Sequence, residues 1–511
     1  MKTPLPASLA LATLLCSSAV LAQALPAPEP RFSLTVYSSA DPATFDPKGN
    51  AAETNPYASQ QPLPGYGVVR ETRAIDLKAG VNALRFTDVA SGIDPTTVSF
   101  LSLTDPAGTA VLEQNYEFDL VSSAKLLQKY VDKAVVVERA SGDGKIETIS
   151  GTLLSAANGL VLKTDDGGVR ILNGYSGIRV ADAAGLITRP TLVWNLTAAK
   201  AGKHDALVTY QTDGLTWRAD YNLVLNEANT AADIGAWVTL VNRSGASYPD
   251  TRLKLVAGDV QRITPPERVR PMLRAAARAM RDETAEAGFV EKSLFEYHLY
   301  TLGRVTSLPD NSTKQIELFD KKLDVPVKKV FVYYGVPEQF RTYFAPSALV
   351  DRDLGVEANK KVDVYVMLDN KEANGLGIPL PAGRVRVYQN DEADKTQEFV
   401  GEDVIRHTPK DETIQIRLGS AFDIVGERKQ TAFTVDERAH TLTESFEIKL
   451  RNHKKEAVRV VVKENLFRWA NWEITAKSDA FEKQDYRTVH FPVDVPSGGE
   501  KTLTYTVKYT W

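Results

Sequence analysis

The stretch Trp217-Arg218-Ala219-Asp220-Tyr221-Asn222-Leu223-Val224-Leu225 carries an apolar side chain at every second position. A period of two is the mark of a strand with one face packed and the other turned outward. Trp217 and Tyr221 stand four apart, on one face, where they anchor a sandwich core. Working outward, strands lengthen from Thr191, and the alternation returns at Ala236 to Val241 and at Arg252-Leu253-Lys254-Leu255-Val256. It resumes at Leu294 and continues through Lys328 to Tyr334, Lys361 to Val366 and Arg384 to Tyr388. Such side chains bury one face against a second sheet. From about Thr431 to Trp511, some seven short strands with turns roughly every 8 to 12 residues predict an immunoglobulin-like sandwich.

Two regions differ from this pattern. Between Leu126 and Ala181, about five short strands with the tight turn Asp165-Asp166-Gly167-Gly168 predict a small SH3-like barrel. Pro265 to Ala287 is Ala-rich, and Arg268, Arg274, Arg278 and Arg281 recur at helical spacing after Pro265-Pro266, which predicts a helix inserted between strands. The expected fold is mainly β, with several β-sandwich (immunoglobulin-like) units, the small barrel and one inserted helix. The expected boundaries are a signal peptide at 1–24 and an N-terminal β region at 25–125 with a flexible 41–64. The barrel follows at 126–182, a sandwich region at 190–430 with its helical insertion at 266–287, and a C-terminal sandwich at 431–511.

The chain has 511 residues, 43% hydrophobic and 25% charged, with 32 Gly and 26 Pro. These values exclude a collagen and a low-complexity chain. Its 61 Lys and Arg against 65 Asp and Glu give a net charge of -4, too balanced for general electrostatic binding to nucleic acid. Lys2, the apolar run Leu9 to Val20 and Ala22-Gln23-Ala24 read as a signal peptide cut after Ala24. The apolar run is shorter than the roughly 20 residues a bilayer span needs, so no transmembrane helix is expected after cleavage. The single cysteine, Cys16, lies in that leader, so the remaining chain has no thiol nucleophile, no disulfide and no Cys-liganded zinc. The expected location is the periplasm, with outer-membrane association or secretion as alternatives.

No HExxH, GxSxG, SxxK, P-loop or dinucleotide fingerprint occurs, so no metal and no cofactor are expected. Glu402, Asp403 and His407 place carboxylates beside an imidazole and form the first candidate for acid-base chemistry, a hydrolase acting on envelope polymers. The same residues also read as a strand running into the solvated turn Thr408-Pro409-Lys410-Asp411. Glu296, His298 and Tyr300 alternate on one strand face that suits a sugar or peptide. From Arg262 to Arg281 there are six Arg and one Glu, a net of +5, and a basic helix through Arg274 and Arg278 suits an anionic membrane surface or an acidic envelope polymer. Leu503, Tyr505, Val507, Tyr509 and Trp511 alternate strictly, as in the last strand of an outer-membrane barrel or of a sandwich.

The blocks Gly214 to Tyr221, Val241-Asn242-Arg243-Ser244-Gly245 and Leu255-Val256-Ala257-Gly258-Asp259 resemble the opening of the domain of unknown function 4139. Glu296 to Tyr300, Ile378 to Tyr388, Phe422 to Arg428 and Tyr505 to Trp511 fit the same family in order, and the resemblance covers about Leu192 to Trp511. It implies a bacterial, exported, β-rich protein and carries no catalytic residues over. Some relatives are labelled mucoidy-inhibitor-like and have a coiled-coil N-terminal half that this sequence lacks. The functional expectation is a non-enzymatic envelope protein that binds a protein or polysaccharide through loops and exposed strand faces.

Overall fold

The computed structural model describes residues 30–37, 63, 65–117, 123–140, 145–157, 159–182, 189–258, 260–261, 289–341, 347–391 and 393–511. The alternating stretch is the strand Leu215–Leu225, central in a five-stranded sheet. The order is Ser312–Pro326, Ala231–Asn242, Leu215–Leu225, Gly383–Asp391, Thr396–Ile405. Trp217, Ala219, Tyr221, Leu223 and Leu225 are all buried on its inner face. An aromatic side chain of this kind removes on the order of 150–250 Å² from water, about 4–6 kcal/mol of transfer free energy as an upper bound.

That inner face packs on a second, eight-stranded sheet, where the Trp217 and Tyr300 rings meet edge to face at 6.3 Å. A three-stranded sheet of Gly80–Thr87, Thr191–Ala198 and Thr109–Glu117 joins the same core through Trp194 and Phe86. The chain's first described strand, Phe32–Tyr37, threads between distant segments. It runs parallel to Tyr248–Ala257 and antiparallel to Tyr66–Leu77. The expected N-terminal region and the expected sandwich region therefore share one sheet and one core.

The segment expected to be a small barrel is a five-stranded antiparallel unit ordered Gly177–Arg179, Ala134–Ala140, Ile146–Ser155, Leu160–Thr164, Val169–Leu172. Its last strand in sequence pairs with its first, as an SH3-like path requires, while Gly177–Arg179 and Val169–Leu172 remain the two edges, so the sheet is not closed. The helix Ser123–Lys129 caps its core with Leu127. At the predicted Asp/Gly turn, Gly167 takes φ 88° and Asp166 accepts hydrogen bonds from the Thr164 hydroxyl and the Gly168 N–H. The unit is an insertion, because the strands flanking it, Thr109–Glu117 and Thr191–Ala198, pair directly.

The C-terminal sheet has nine strands, ordered Trp472–Lys477, Glu500–Thr510, Thr441–Asn452, Thr413–Asp436, Lys361–Asp369, Lys328–Tyr334, Val458–Asn465, Thr488–Val495, Glu482–Lys483. Phe491 stacks on Tyr505 at 5.4 Å although their strands stand far apart in that order, so the sheet folds over and packs on itself. The 24-residue strand Thr413–Asp436, broken by register shifts, runs straight through the boundary expected at 430. The C-terminal unit therefore also draws on residues from Lys328 onward. Leu503, Tyr505, Val507 and Tyr509 all face its core.

Gly383 and Gly426 are close-approach positions within strands. A methyl group at Gly383 would collide with the Ala219 carbonyl, and one at Gly426 with the ring of Tyr333. The expected signal peptide and the expected helix at 266–287, with Arg274 and Arg278, lie outside the described residues. Among the described residues no helix is long and apolar enough to cross a membrane.

Candidate functional site

The outer face of the five-stranded sheet carries a line of polar groups running across all five strands. At one side Gln315 donates its amide N–H to the Thr239 hydroxyl oxygen at 3.2 Å. Thr239 donates to Asp220 Oδ2 at 2.6 Å, and Arg218 Nε donates to the same oxygen at 3.2 Å. Asp220 Oδ1 lies 3.1 Å from Arg218 Nη2 and 3.5 Å from Arg386 Nη1. Arg386 Nε is 3.7 Å from Glu402 Oε2 on the edge strand.

Local sequence explains how these groups align. Residues of even number on Leu215–Leu225 point away from the Trp217 face, and the register sets Arg218 opposite Thr239, Asp220 opposite Trp237, and Arg386 opposite Glu402. Arg218 and Asp220 are both buried, which requires that each be paired. The line grows more exposed toward Arg386 and Glu402. Trp237 lies on this face too, 41% exposed, between Asp220 and Glu317 in register.

The candidates read from the sequence fall in separate places. Glu402 belongs to the polar line through Arg386. Asp403, next along the strand, projects to the other face, where Oδ2 accepts the Arg417 N–H at 2.7 Å and Oδ1 the Val404 N–H at 2.8 Å. His407 Nδ1 accepts the Ala382 N–H at 3.0 Å. The three are thus held by different neighbours, Asp403 as a fastening between strands Thr396–Ile405 and Thr413–Asp436.

The face expected to present Glu296, His298 and Tyr300 together is not a single outer face. Glu296 sits exposed in the hairpin turn, and His298 Nδ1 pairs with Glu291 Oε1 at 2.7 Å. Tyr300 is buried, donating its hydroxyl to the Pro379 carbonyl at 3.0 Å, and burial pushes that hydroxyl's pKa well above its ordinary value. The cause is tertiary: the five-stranded sheet covers this side of the strand Tyr297–Leu302.

Sequence reading missed a second polar cluster, inside the C-terminal sheet. Arg428 binds Glu464 Oε2 through Nε and Nη2, both at 3.1 Å, and Tyr505 donates to the same oxygen at 2.6 Å. Arg468 binds Glu444 Oε2 at 2.8 Å, and Tyr509 donates to Glu444 Oε1 at 3.3 Å. The Arg428 guanidinium lies 3.7 Å above the centre of the Phe446 ring. Burial raises the Tyr505 and Tyr509 hydroxyls far above their usual range, so both stay protonated as donors, and burial also raises the Glu444 carboxyl. The only sequence signal was the presence of Glu444 and Glu464 within strongly alternating strands. Among the described residues, no cluster of His, Cys, Asp and Glu is placed to hold a metal ion.

Fold and site together define a multi-sheet β protein whose chemistry-bearing side chains are mostly committed to one another. The family described as Domain of unknown function (DUF4139) matches residues 206–511, more than half of the chain, and the chain belongs to it. The match begins inside the strand Gly202–Asp213, which pairs with Tyr66–Leu77, so the family segment folds together with residues that precede it. No curated protein matches the chain.

Proposed function

We propose that this is an exported bacterial cell-envelope protein that works by binding an envelope polysaccharide or protein, and that it catalyses no reaction. The observation that carries this reading is the outer face of the five-stranded sheet, where an exposed indole sits beside a cross-strand line of polar groups. General acid-base catalysis needs a carboxylate or imidazole with an oxygen or nitrogen left for substrate. Asp403 holds the Val404 and Arg417 amides, His407 Nδ1 holds the Ala382 amide and Glu402 faces Arg386, so each of the three has its own partners and they do not act as one acid-base group. Export rests on the leader, Lys2 to Ala24.

The test uses protein beginning at Leu25, incubated with isolated cell-wall sacculi and envelope polysaccharide. Retention on the polymer without release of soluble fragments is expected. Fragment release by the parent protein that E402A/D403A/H407A abolishes would overturn the binding reading. Amino-terminal sequencing of protein from fractionated cells should begin at Leu25, and an intact Met1 start in the cytosol would defeat export.

A further inference from the structure

We propose that the outer face of the five-stranded sheet is a subsite for a carboxylated saccharide, a uronic-acid type sugar whose ring stacks on Trp237 and whose carboxylate pairs with Arg384. The inference rests on the binding function proposed above and names its ligand class. Trp237 stands outside the core cluster, since Ala236 and Val238 point inward and are buried while the indole lies on the outer face, 41% exposed. Its neighbours in register, Glu317 and Asp220, are acidic. Gly235 stands two residues away on the same face, and a methyl group built there would meet no atom within 4 Å. The indole therefore has open space beside it, opposite Asn222, for a flat ligand to lie along the sheet.

Arg384 supplies the second contact. It is half-buried, opposite Asp220 and two strands from Trp237, roughly 10 Å away at the usual strand spacing. Its guanidinium makes no hydrogen bond or ion pair among the described residues, whereas Arg218 and Arg386 are both engaged by Asp220. Asp220 is neutralised by those two arginines and leaves Arg384 its charge. A planar guanidinium presents a fork of donors that matches a carboxylate. Exposed Glu317, at the other end of the row, is an acceptor for sugar hydroxyls. The face thus orders an acceptor, a ring platform and a carboxylate-binding donor along one line.

The test is calorimetric titration of protein beginning at Leu25 with an oligogalacturonate, its methyl ester and poly-glutamate. The oligogalacturonate should bind, and the ester and R384Q should each weaken binding by about 10- to 100-fold. R384Q should bind acid and ester alike. W237A should lose on the order of tenfold, whereas W237F, which keeps a ring, should retain most of the affinity. Circular dichroism checks that the variants are folded, and the R384Q and ester comparison decides the matter alone if W237A is not. Equal binding of acid and ester by the parent, parent-like binding by R384Q, poly-glutamate binding as tightly, or no binding of oligogalacturonate would each overturn the inference. Retention on sacculi that survives R384Q and W237A would leave the binding function standing while this site falls.

Discussion

Replacing Arg428 by Met should destabilise the C-terminal sheet sharply, and the magnitude follows from what the guanidinium touches. Arg428 is buried against Glu464, which is 0% exposed, donates to the Gly355 carbonyl at 3.2 Å and covers the Phe446 ring. Without it, the Glu464 carboxylate keeps only the Tyr505 hydroxyl, and a buried charge stripped of its partner costs about 3–5 kcal/mol. Glu464→Gln leaves the buried Arg428 without its nearest carboxylate, only the charge of Glu444 remaining to act on it, and should cost about 3 kcal/mol. The double variant removes both charges and should cost no more than either single change, so the coupling energy is several kcal/mol. Hydrogen exchange of the Thr441–Asn452 and Glu500–Thr510 amides measures this locally, which suits a chain of several units better than one global transition. Protection there should fall between roughly 100-fold and several thousand-fold in each single variant. Single variants that each lose under about 1 kcal/mol, or costs that add in the double, would refute the claim that these charges depend on one another.

Two further predictions use other parts of the molecule. Burial first, then the positive charge of Lys463, holds the His490 imidazole below its ordinary value near 6.5. Below that value the unfolded chain takes up a proton that the folded chain resists, so the contribution is present above 6.5 and is lost as pH falls toward the folded value. The urea midpoint of the C-terminal transition should drop between about pH 7.5 and about pH 5.5, and H490Q should flatten that drop; an unchanged slope in H490Q would assign it to other groups. On the outer face, D220A removes the carboxylate that the buried Arg218 and the neighbouring Arg386 share and should cost about 3 kcal/mol, read as a lower urea midpoint for the unit holding the five-stranded sheet. A midpoint within error of the parent would mean that water reaches Arg218.

Much of the strand content was legible because alternation is a local property. Leu215–Leu225, Lys361–Asp369 and Glu500–Thr510 each bury the face their apolar residues define. The Asp165–Gly168 turn was legible for the same reason, since its geometry is decided within four residues. Tyr300 shows where the method stops: its alternation with His298 is real, yet which face meets water depends on a sheet formed partly by residues about 80 positions away in sequence. Glu402 was singled out for neighbouring His407, but its partner is Arg386, set beside it by strand register.

The amino-acid sequence alone determined that this is a β-rich chain whose one cysteine stands at position 16, because side-chain period, turn residues and composition act over a few neighbours. Tertiary structure alone decided that Phe32–Tyr37 would join the sheet of Tyr248–Ala257, that the boundary at 430 would fall within a strand, and that Gln315, Thr239, Asp220, Arg386 and Glu402 would form one line. Backbone ladders are indifferent to sequence distance, so residues far apart along the chain become neighbours only when long-range pairing fixes the register, and a charge becomes buried only when another layer closes over it.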